Sequence, residues 1–456
     1  MQINLPDKVR LIINKLTDEG FEAYAVGGCV RDSLLGKRPN DWDITTSATP
    51  QQVKSLFRRT VDTGIQHGTV TIMLGNEGYE VTTYRIDGAY EDSRHPKQVI
   101  FTASLKEDLK RRDFTINAMA YNDKTGIVDL FDGLSDIEKK TIRAVGDPVE
   151  RFNEDALRIL RAIRFAAQLD YDIDENTLKA VKELAPNLEM ISAERIRMEL
   201  QKLLVSKHPE KLLTLYKTGV SKVILPEFDL MMETEQNTVH HIYSVGMHTV
   251  EALKNSVRYD EKLTDNDIKI LRLTMLFHDS GKPEVKTTDE DGKDHFTGHA
   301  YKSEKITSVV MHRLKYDNDT LGKVKRLVRY HDHRKKLTEP RVRQTIVEIS
   351  KELIPLWLIV RRCDILAQSN VERESKLKDI DDFEQMYLRI IKRGDCLSIR
   401  ELAVTGRDLM ELGIKQGPQL GDILNKLLED VLNVPEHNTA EYLMKRAEKY
   451  RRMNGE

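Results

Sequence analysis

Asp41 and Asp43 stand two residues apart in DWDI, at the end of the run VGGCVRDSLLGKRPNDWDI that spans residues 26–44. In a strand such a spacing puts both carboxylates on one face and leaves Trp42 and Ile44 toward the core. Two adjacent carboxylates repel unless a divalent cation lies between them. Their hard oxygens favour Mg²⁺, which also takes phosphate oxygens, and a pair of such ions aligns an attacking hydroxyl with a nucleotide's α-phosphate. Gly27 and Gly28 let the backbone come close to a phosphate, and a helix opening near Cys29 to Arg31 would aim amide N–H groups and a guanidinium at the same anion. Together these residues predict a site for a nucleoside triphosphate and its metal. A third acid, Glu80 in YEVTTYR, is expected as a surface residue of an edge strand.

Two further runs carry cations. Arg112 in RRDFTINAMA (111–120) suits a grip on a polyanion. In NEDALRILRAIRF, Asp155, Arg158, Arg161 and Arg164 recur at steps of three on what reads as one helix, so the polar ladder winds around the helix while Asp155 and Arg158 stay neighbours. A carboxylate and a guanidinium so placed can read the Watson–Crick edge of C or A; an ordinary surface pair, worth about 0.2–0.5 kcal/mol, is the alternative.

These groups need a scaffold. FEAYAV, DITT, and the pair TVTIML and YEVTTYR joined by GNEG read as strands with one hairpin, and from about residue 141 the apolar spacing turns helical, as in ERIRMELQKLLV. The expected fold is α+β, a small mixed-sheet head followed by an all-α neck, body and tail, with domains at 1–140, 141–225, 226–370 and 371–456. MHTVEAL, LFHDSGKP, FTGHAYKSE, VRYHDHRKK and RRCDILAQS place His248, His278, Asp279, His299, His331 and Asp364 in the third of these. Imidazoles and carboxylates suit a divalent metal such as Mg, Mn, Ni or Fe, able to activate water against a phosphoester.

Composition narrows the class. The 72 basic and 74 acidic residues leave a charge of -2, so any nucleic-acid surface depends on local sorting of charge. Three cysteines without a CxxC pair argue against a disulfide framework or structural zinc. MQINLPDKVR lacks a basic and apolar leader, and no run approaches the roughly 20 apolar residues that span a bilayer, so a cytoplasmic protein without a membrane partner is expected.

GGxxRD with DWDI, RRDFTINAMA, and GDPVERFNEDALRILRAIRFA, in that order, resemble the bacterial (class II) tRNA nucleotidyltransferase and poly(A) polymerase family of the polymerase beta superfamily, densely over about residues 20–205. The resemblance implies a polymerase-beta-like head and template-independent, two-metal addition of CCA to a tRNA 3′ end from CTP and ATP, with release of pyrophosphate. It implies Mg²⁺ on Asp41 and Asp43, nucleotide contacts from Gly28 and Arg31, and Arg112 and Asn117 near sugar and phosphates. Asp155, Arg158, Arg161 and Arg164 would form the nucleotide-reading neck, with Glu154 orienting an arginine. A-only addition and poly(A) synthesis stay open. EDSRHPKQVIFTASLKEDLK, with Asp92, Arg94 and Pro96, looks like the flexible loop of CCA-adding and A-adding members. The histidine order is similar to HD-type metal phosphohydrolases, which leaves hydrolysis of RNA phosphates or cyclic phosphates as a reading of another class. Gly413, Gly417 and Gly421 resemble the family's tRNA-gripping tail; the expected partners are tRNA, ATP and CTP, not DNA.

Overall fold

The computed structural model describes residues 2–87, 99–333 and 336–453. The chain divides into two compact units, residues 1–229 and 230–456.

The first unit opens with α1 (Asp7–Asp18), which buries Val9, Ile12, Ile13 and Leu16, one stripe of a 3.6-residue repeat. Then follow β1 (Ala23–Val26), α2 (Gly28–Leu34), β2 (Ile44–Thr46), α3 (Pro50–Leu56), β3 (Thr60–Gly64), β4 (Thr69–Leu74), β5 (Glu77–Thr83), β6 (Arg85–Asp87), β7 (Val99–Phe101), α4 (Leu105–Lys110), β8 (Met119–Asn122), β9 (Gly126–Asp129) and α5 (Gly133–Glu138). Seven strands form one mixed sheet in the order β3-β4-β5-β2-β1-β8-β9, and β6 pairs separately with β7. β4 and β5 form the expected hairpin, closed over two residues with Gly75 at φ +69°. Both sheet faces are covered. Ala23 and Ala25 of β1 join the α1 side of the core with Val70, Ile72, Val81, Met119 and Tyr121, whereas Tyr24 and Val26 point to the other side with Tyr84, Leu109 and Ala120.

Two expectations are corrected here. β5 lies between β4 and β2, so Glu80 is not on an edge strand. The acid pair is not inside a strand either: β2 begins at Ile44, and Asp41 to Asp43 form the run entering it. The alternation nevertheless holds, with Trp42 packed on the core, Ile44 buried in it, and both aspartates exposed.

Beyond the sheet come β10 (Thr141–Ile142), α6 (Pro148–Glu154), α7 (Leu157–Leu169), β11 (Asp172–Ile173), α8 (Glu175–Leu184), α9 (Ala193–Leu204), α10 (Leu212–Lys217), α11 (Val220–Ile224) and α12 (Pro226–Met232). α6 starts on a strong signal, Asp147 accepting from the Glu150 N–H with Pro148 in the first turn. It stops at Asp155, whose backbone is extended at φ -144° and ψ 102°. Asp155 and Arg158 therefore do not share one continuous helix.

Among the described residues the second unit is helical apart from two short strands, β12 (Thr287–Thr288) and β13 (Asp294–His295). Its helices are α13 (Val245–Ser256), α14 (Asp265–Phe277), α15 (Lys282–Val285), α16 (His299–Arg313), α17 (Asn318–Tyr330), α18 (Glu339–Ile349), α19 (Ile354–Ala367), α20 (Arg373–Arg393), α21 (Gly406–Glu411), α22 (Pro418–Asn433) and α23 (Ala440–Met453). α14 packs against α13, α17 and α19, and α13 also packs against α19. Gly413 (φ +87°) and Gly417 (φ +147°) lie in the α21–α22 connection, but Gly421 lies inside α22 and is not part of that turn. No helix among the described residues is long and apolar enough to cross a membrane.

Candidate functional site

The first unit brings the acids together through its sheet register. Ile44 pairs in parallel with Val81, so Asp43 and Glu80, each one residue earlier, enter the same end of neighbouring strands. Asp41, Asp43 and Glu80 line a cavity of about 1140 Å³ with Lys37 and Arg38. Partial loss of water around the Asp43 carboxyl raises its pKa, Arg112 opposes the rise and Asp41 adds to it. Adjacent hard-oxygen donors with mutual repulsion are the donor set a divalent cation relieves, so these residues fit such an ion.

Between β1 and α2 the backbone turns sharply. Gly27 adopts φ +82° and ψ -130°, and a Cβ there would meet Arg112 Nη1 at 3.0 Å. Gly28 needs no such freedom, since its virtual Cβ meets only Arg31 Nη2 at 3.7 Å, an ordinary contact. Gly27→Ala is expected to strain the turn by about 1–2 kcal/mol and to displace Arg112. A thermal melt together with nucleotide KM checks this; an unchanged KM would contradict the displacement.

Arg112 is set by a residue the sequence did not single out. Asp108, fully buried in the first turn of α4, accepts from Arg111 (Nη2 at 2.7 Å) and from Thr45 Oγ1 (3.1 Å), with Arg112 Nη2 at 3.5 Å. Burial alone would raise the Asp108 pKa, but the two arginines reverse that and leave it lowered. Asp113 is equally central. Its Oδ1 accepts from Phe114 N–H (2.8 Å) and Asn117 Nδ2 (3.1 Å), and its Oδ2 accepts from Arg161 Nε (2.8 Å). Burial again pushes upward, yet Arg161 and Asn117 hold the carboxyl well below the ordinary range. RRD is thus not a solvated helix end.

One chain of contacts runs from α2 to α7 and α9. Arg31 Nη1 donates to Asn117 Oδ1 at 2.5 Å; Asn117 and Arg161 meet on Asp113; Arg161 Nη1 lies 4.0 Å from Glu199 Oε1, which shares its carboxylate with Arg164 (Nε to Oε2, 2.6 Å). Phe165 sits among the arginines, with the guanidinium carbons of Arg164, Arg31 and Arg161 at 3.6, 5.0 and 5.4 Å from its ring centre. Arg164 is 6 % exposed, and its Nη1 donates to Gln168. The structure places Arg164, which the sequence grouped with the nucleotide contacts, in the packed interior, where it holds Phe165 and Glu199. Glu199 was legible as a charge on the buried stripe Ile196, Glu199, Leu203 of α9. Glu199→Gln leaves Arg164 buried without its anion, so the first unit should lose about 3 kcal/mol, read by chemical denaturation; unchanged stability would contradict the pairing.

Asp155 and Arg158 are not partners of each other. Asp155 Oδ1 accepts from Leu157 N–H at the start of α7, while its Oδ2 accepts from Arg195 Nη2 at 2.8 Å. Arg158 is held by Glu154 (Nη1 to Oε2, 2.5 Å) and by the carbonyls of Arg151 and Arg111, both at 3.0 Å. Glu154 orients the arginine, and the carboxylate and guanidinium are each fixed from behind. Asp92, Arg94 and Pro96 lie outside the described residues.

In the second unit the six singled-out residues converge. His248 Nε2 lies 2.9 Å from Asp364 Oδ1 and 3.2 Å from His278 Nε2; His299 Nε2 lies 3.2 Å from His331 Nε2; Asp279 approaches all four imidazoles within 3.4–3.6 Å.

Comparison with known proteins places this architecture. The chain matches the models of the poly A polymerase head domain over residues 23–143, of the probable RNA and SrmB-binding site of polymerase A over 170–232, and of the putative tRNA nucleotidyltransferase domain 2 over 295–447. It is 37 % identical over 429 residues to the CCA-adding enzyme of Pediococcus pentosaceus, covering 94 % of this chain and 93 % of that one. To the Leuconostoc mesenteroides CCA-adding enzyme it is 56 % identical over 204 residues, 45 % of this chain and 51 % of that one. The crystal structure of the Bacillus stearothermophilus CCA-adding enzyme in complex with CTP superposes with a TM-score of 0.70 at 28 % identity, over 99 % of each chain. With its near full-length likeness to such proteins and its mixed-sheet head, the chain belongs to the family of CCA-adding enzymes.

Proposed function

We propose that this protein adds CCA to the 3′ end of tRNA from CTP and ATP. The observation that carries the reading is the joining of Asp41 and Asp43 with the Arg31–Asn117–Asp113–Arg161 chain and the Glu154-held Arg158 inside one compact unit, in a member of the CCA-adding family. The tRNA 3′ hydroxyl oxygen bonds to the α-phosphorus, the bond to the β-phosphate oxygen breaks, and pyrophosphate leaves. Asp41 and Asp43 would hold a divalent ion, for which we propose Mg²⁺; when bound it supplies charge neutralisation at the phosphates and a more acidic attacking hydroxyl. Arg112, set by Asp108, and Arg31, set by Asn117, direct cationic groups at the triphosphate.

Base choice falls to Asp155 and Arg158. The carboxylate accepts from the exocyclic amino group that C and A share, and the guanidinium donates to the adjacent ring nitrogen. Arg161, fixed by Asp113, supports this face. We place the reaction in the cytoplasm, with residues 1–140 as head, 141–225 as neck and 371–456 as the tRNA-binding tail. With Mg²⁺, CTP and ATP, a tRNA transcript ending at the discriminator base should release one pyrophosphate for each nucleotide joined and stop after C, C and A. Continued release on ATP alone would point to poly(A) synthesis, and release only from transcripts already ending in CC would point to A addition.

A further inference from the structure

Resting on the nucleotidyl-transfer reading above, we propose that Lys37 and Arg38 hold the last phosphates of the RNA strand being extended, whose 3′ end enters the cavity beside Asp41 and Asp43.

Local sequence delivers these two cations. α2 ends in a Schellman motif: Gly36 adopts φ +69°, its N–H donates to the Ser33 carbonyl at 3.1 Å, and the Lys37 N–H donates to the Asp32 carbonyl at 2.8 Å. Pro39 disfavours helical backbone at Arg38, and the chain runs on without helix or strand to Asp43. The seven residues of α2 rise about 10 Å. The Gly27 turn that meets Arg112 stands at one end of that helix, and Lys37 and Arg38 stand at the other. Both side chains are exposed and make no ion pair with a described residue. Arg31, Arg112, Arg158 and Arg161, by contrast, each have a carboxylate, on Asp32, Asp108, Glu154 and Asp113. Lys37 and Arg38 are therefore cations whose anion must come from outside.

The cavity they line holds about 1140 Å³, more than the roughly 300–1,000 Å³ of a small-molecule site. Its other charged lining is acidic. Glu77 is already engaged, with Lys8 Nζ at 3.0 Å and the Tyr79 hydroxyl at 2.5 Å, which leaves Asp41, Asp43 and Glu80. None of Gly28, Arg31, Arg112, Asn117, Asp155 and Arg158, the groups that meet the incoming nucleotide in the reading above, lines this space. The acid pair is thus shared between two compartments, one for the nucleotide and one without an occupant so far.

Reaction geometry chooses that occupant. In an in-line displacement the attacking oxygen and the leaving pyrophosphate stand on opposite sides of the α-phosphorus. The cations that meet the triphosphate lie outside the cavity, so the attacking 3′ hydroxyl arrives through it. A strand leading away from that hydroxyl carries one phosphate per nucleotide. The carboxylates repel those phosphates and Lys37 and Arg38 attract them, which fixes the wall the strand follows.

The test is a binding cycle on full-length protein without nucleotide. The probe is a synthetic acceptor-stem hairpin RNA ending in single-stranded CC, made with ordinary phosphates or with neutral methylphosphonates at its last two linkages, and read by fluorescence polarisation. Lys37→Ala/Arg38→Ala should weaken the ordinary RNA at least fivefold and lessen the fall of affinity with salt, because two lost phosphate contacts release fewer counterions. The methylphosphonates should cost the unaltered protein a similar factor and the variant less than twofold. CTP affinity and the melting transition should stay in place. An unchanged RNA affinity, equal methylphosphonate losses in both proteins, or a CTP affinity that falls as far as that for RNA would overturn the proposal. Extension of the same RNA by CTP and ATP is followed separately: its absence would remove the reading above, while the binding cycle decides the role of the two cations.

Discussion

Replacing Asp41 and Asp43 together by alanine is expected to lower CTP and ATP incorporation by on the order of 10³-fold or more, because several kcal/mol of charge stabilisation at the α-phosphate is lost with the ion they hold. Both side chains are exposed on the run entering β2 and carry no fold contact comparable to Trp42 or Ile44. The melting transition should therefore stay in place while kcat falls. That combination separates a chemical role from a structural one. Single variants should retain part of the rate, since Glu80 lines the same cavity. Retained incorporation by the double variant, with wild-type kcat, would remove the acid pair from the reaction.

The second large effect is expected at the base-reading pair. Asp155→Ala should lower kcat/KM for CTP and ATP by about 10- to 100-fold, the loss of a charge-assisted hydrogen bond worth about 1.5–3 kcal/mol, and should narrow discrimination against UTP and GTP. Arg195 would be left without its carboxylate and the Leu157 N–H without its acceptor, so a fall in stability is expected alongside. Glu154→Gln offers the cleaner readout. It keeps the shape, weakens the hold on Arg158, and should relax nucleotide choice with little change in melting. Measured kcat/KM for all four triphosphates checks both; an unchanged ratio of correct to incorrect nucleotide in both variants would contradict base reading by these residues.

Much of this site was legible in the sequence, and the reasons are local. DWDI, RRDF and NEDALRILR carry their chemistry in adjacent residues, and the β4–β5 hairpin announces itself through a glycine turn between alternating runs. What escaped depends on tertiary partners. Nothing in EDALRILRAIRF signals a break at Asp155, since the run lacks glycine and proline; the break is sustained by Arg195, 40 residues away. Asp108 and Asp113 look like unremarkable acids among lysines and arginines, yet each is buried and sets an arginine or Asn117. Arg164 follows the same step of three as Arg158 and Arg161 but turns inward, because Phe165 and Glu199 give its guanidinium a plane and an anion there. The β8–β9 hairpin, MAYN and GIVD around DKT, was also missed, its strands being short. In the second unit the order of the histidines was visible, but the division of Asp279 between two imidazole pairs is a property of geometry alone.

The most direct test of the central claim is to incubate the purified protein with Mg²⁺, CTP and ATP and three tRNA transcripts, ending at the discriminator base, at C and at CC, and to sequence every 3′ end. The account predicts that all three finish in CCA and extend no further. Ends that gain only A on the CC transcript, long A tails, or no extension at all would contradict it.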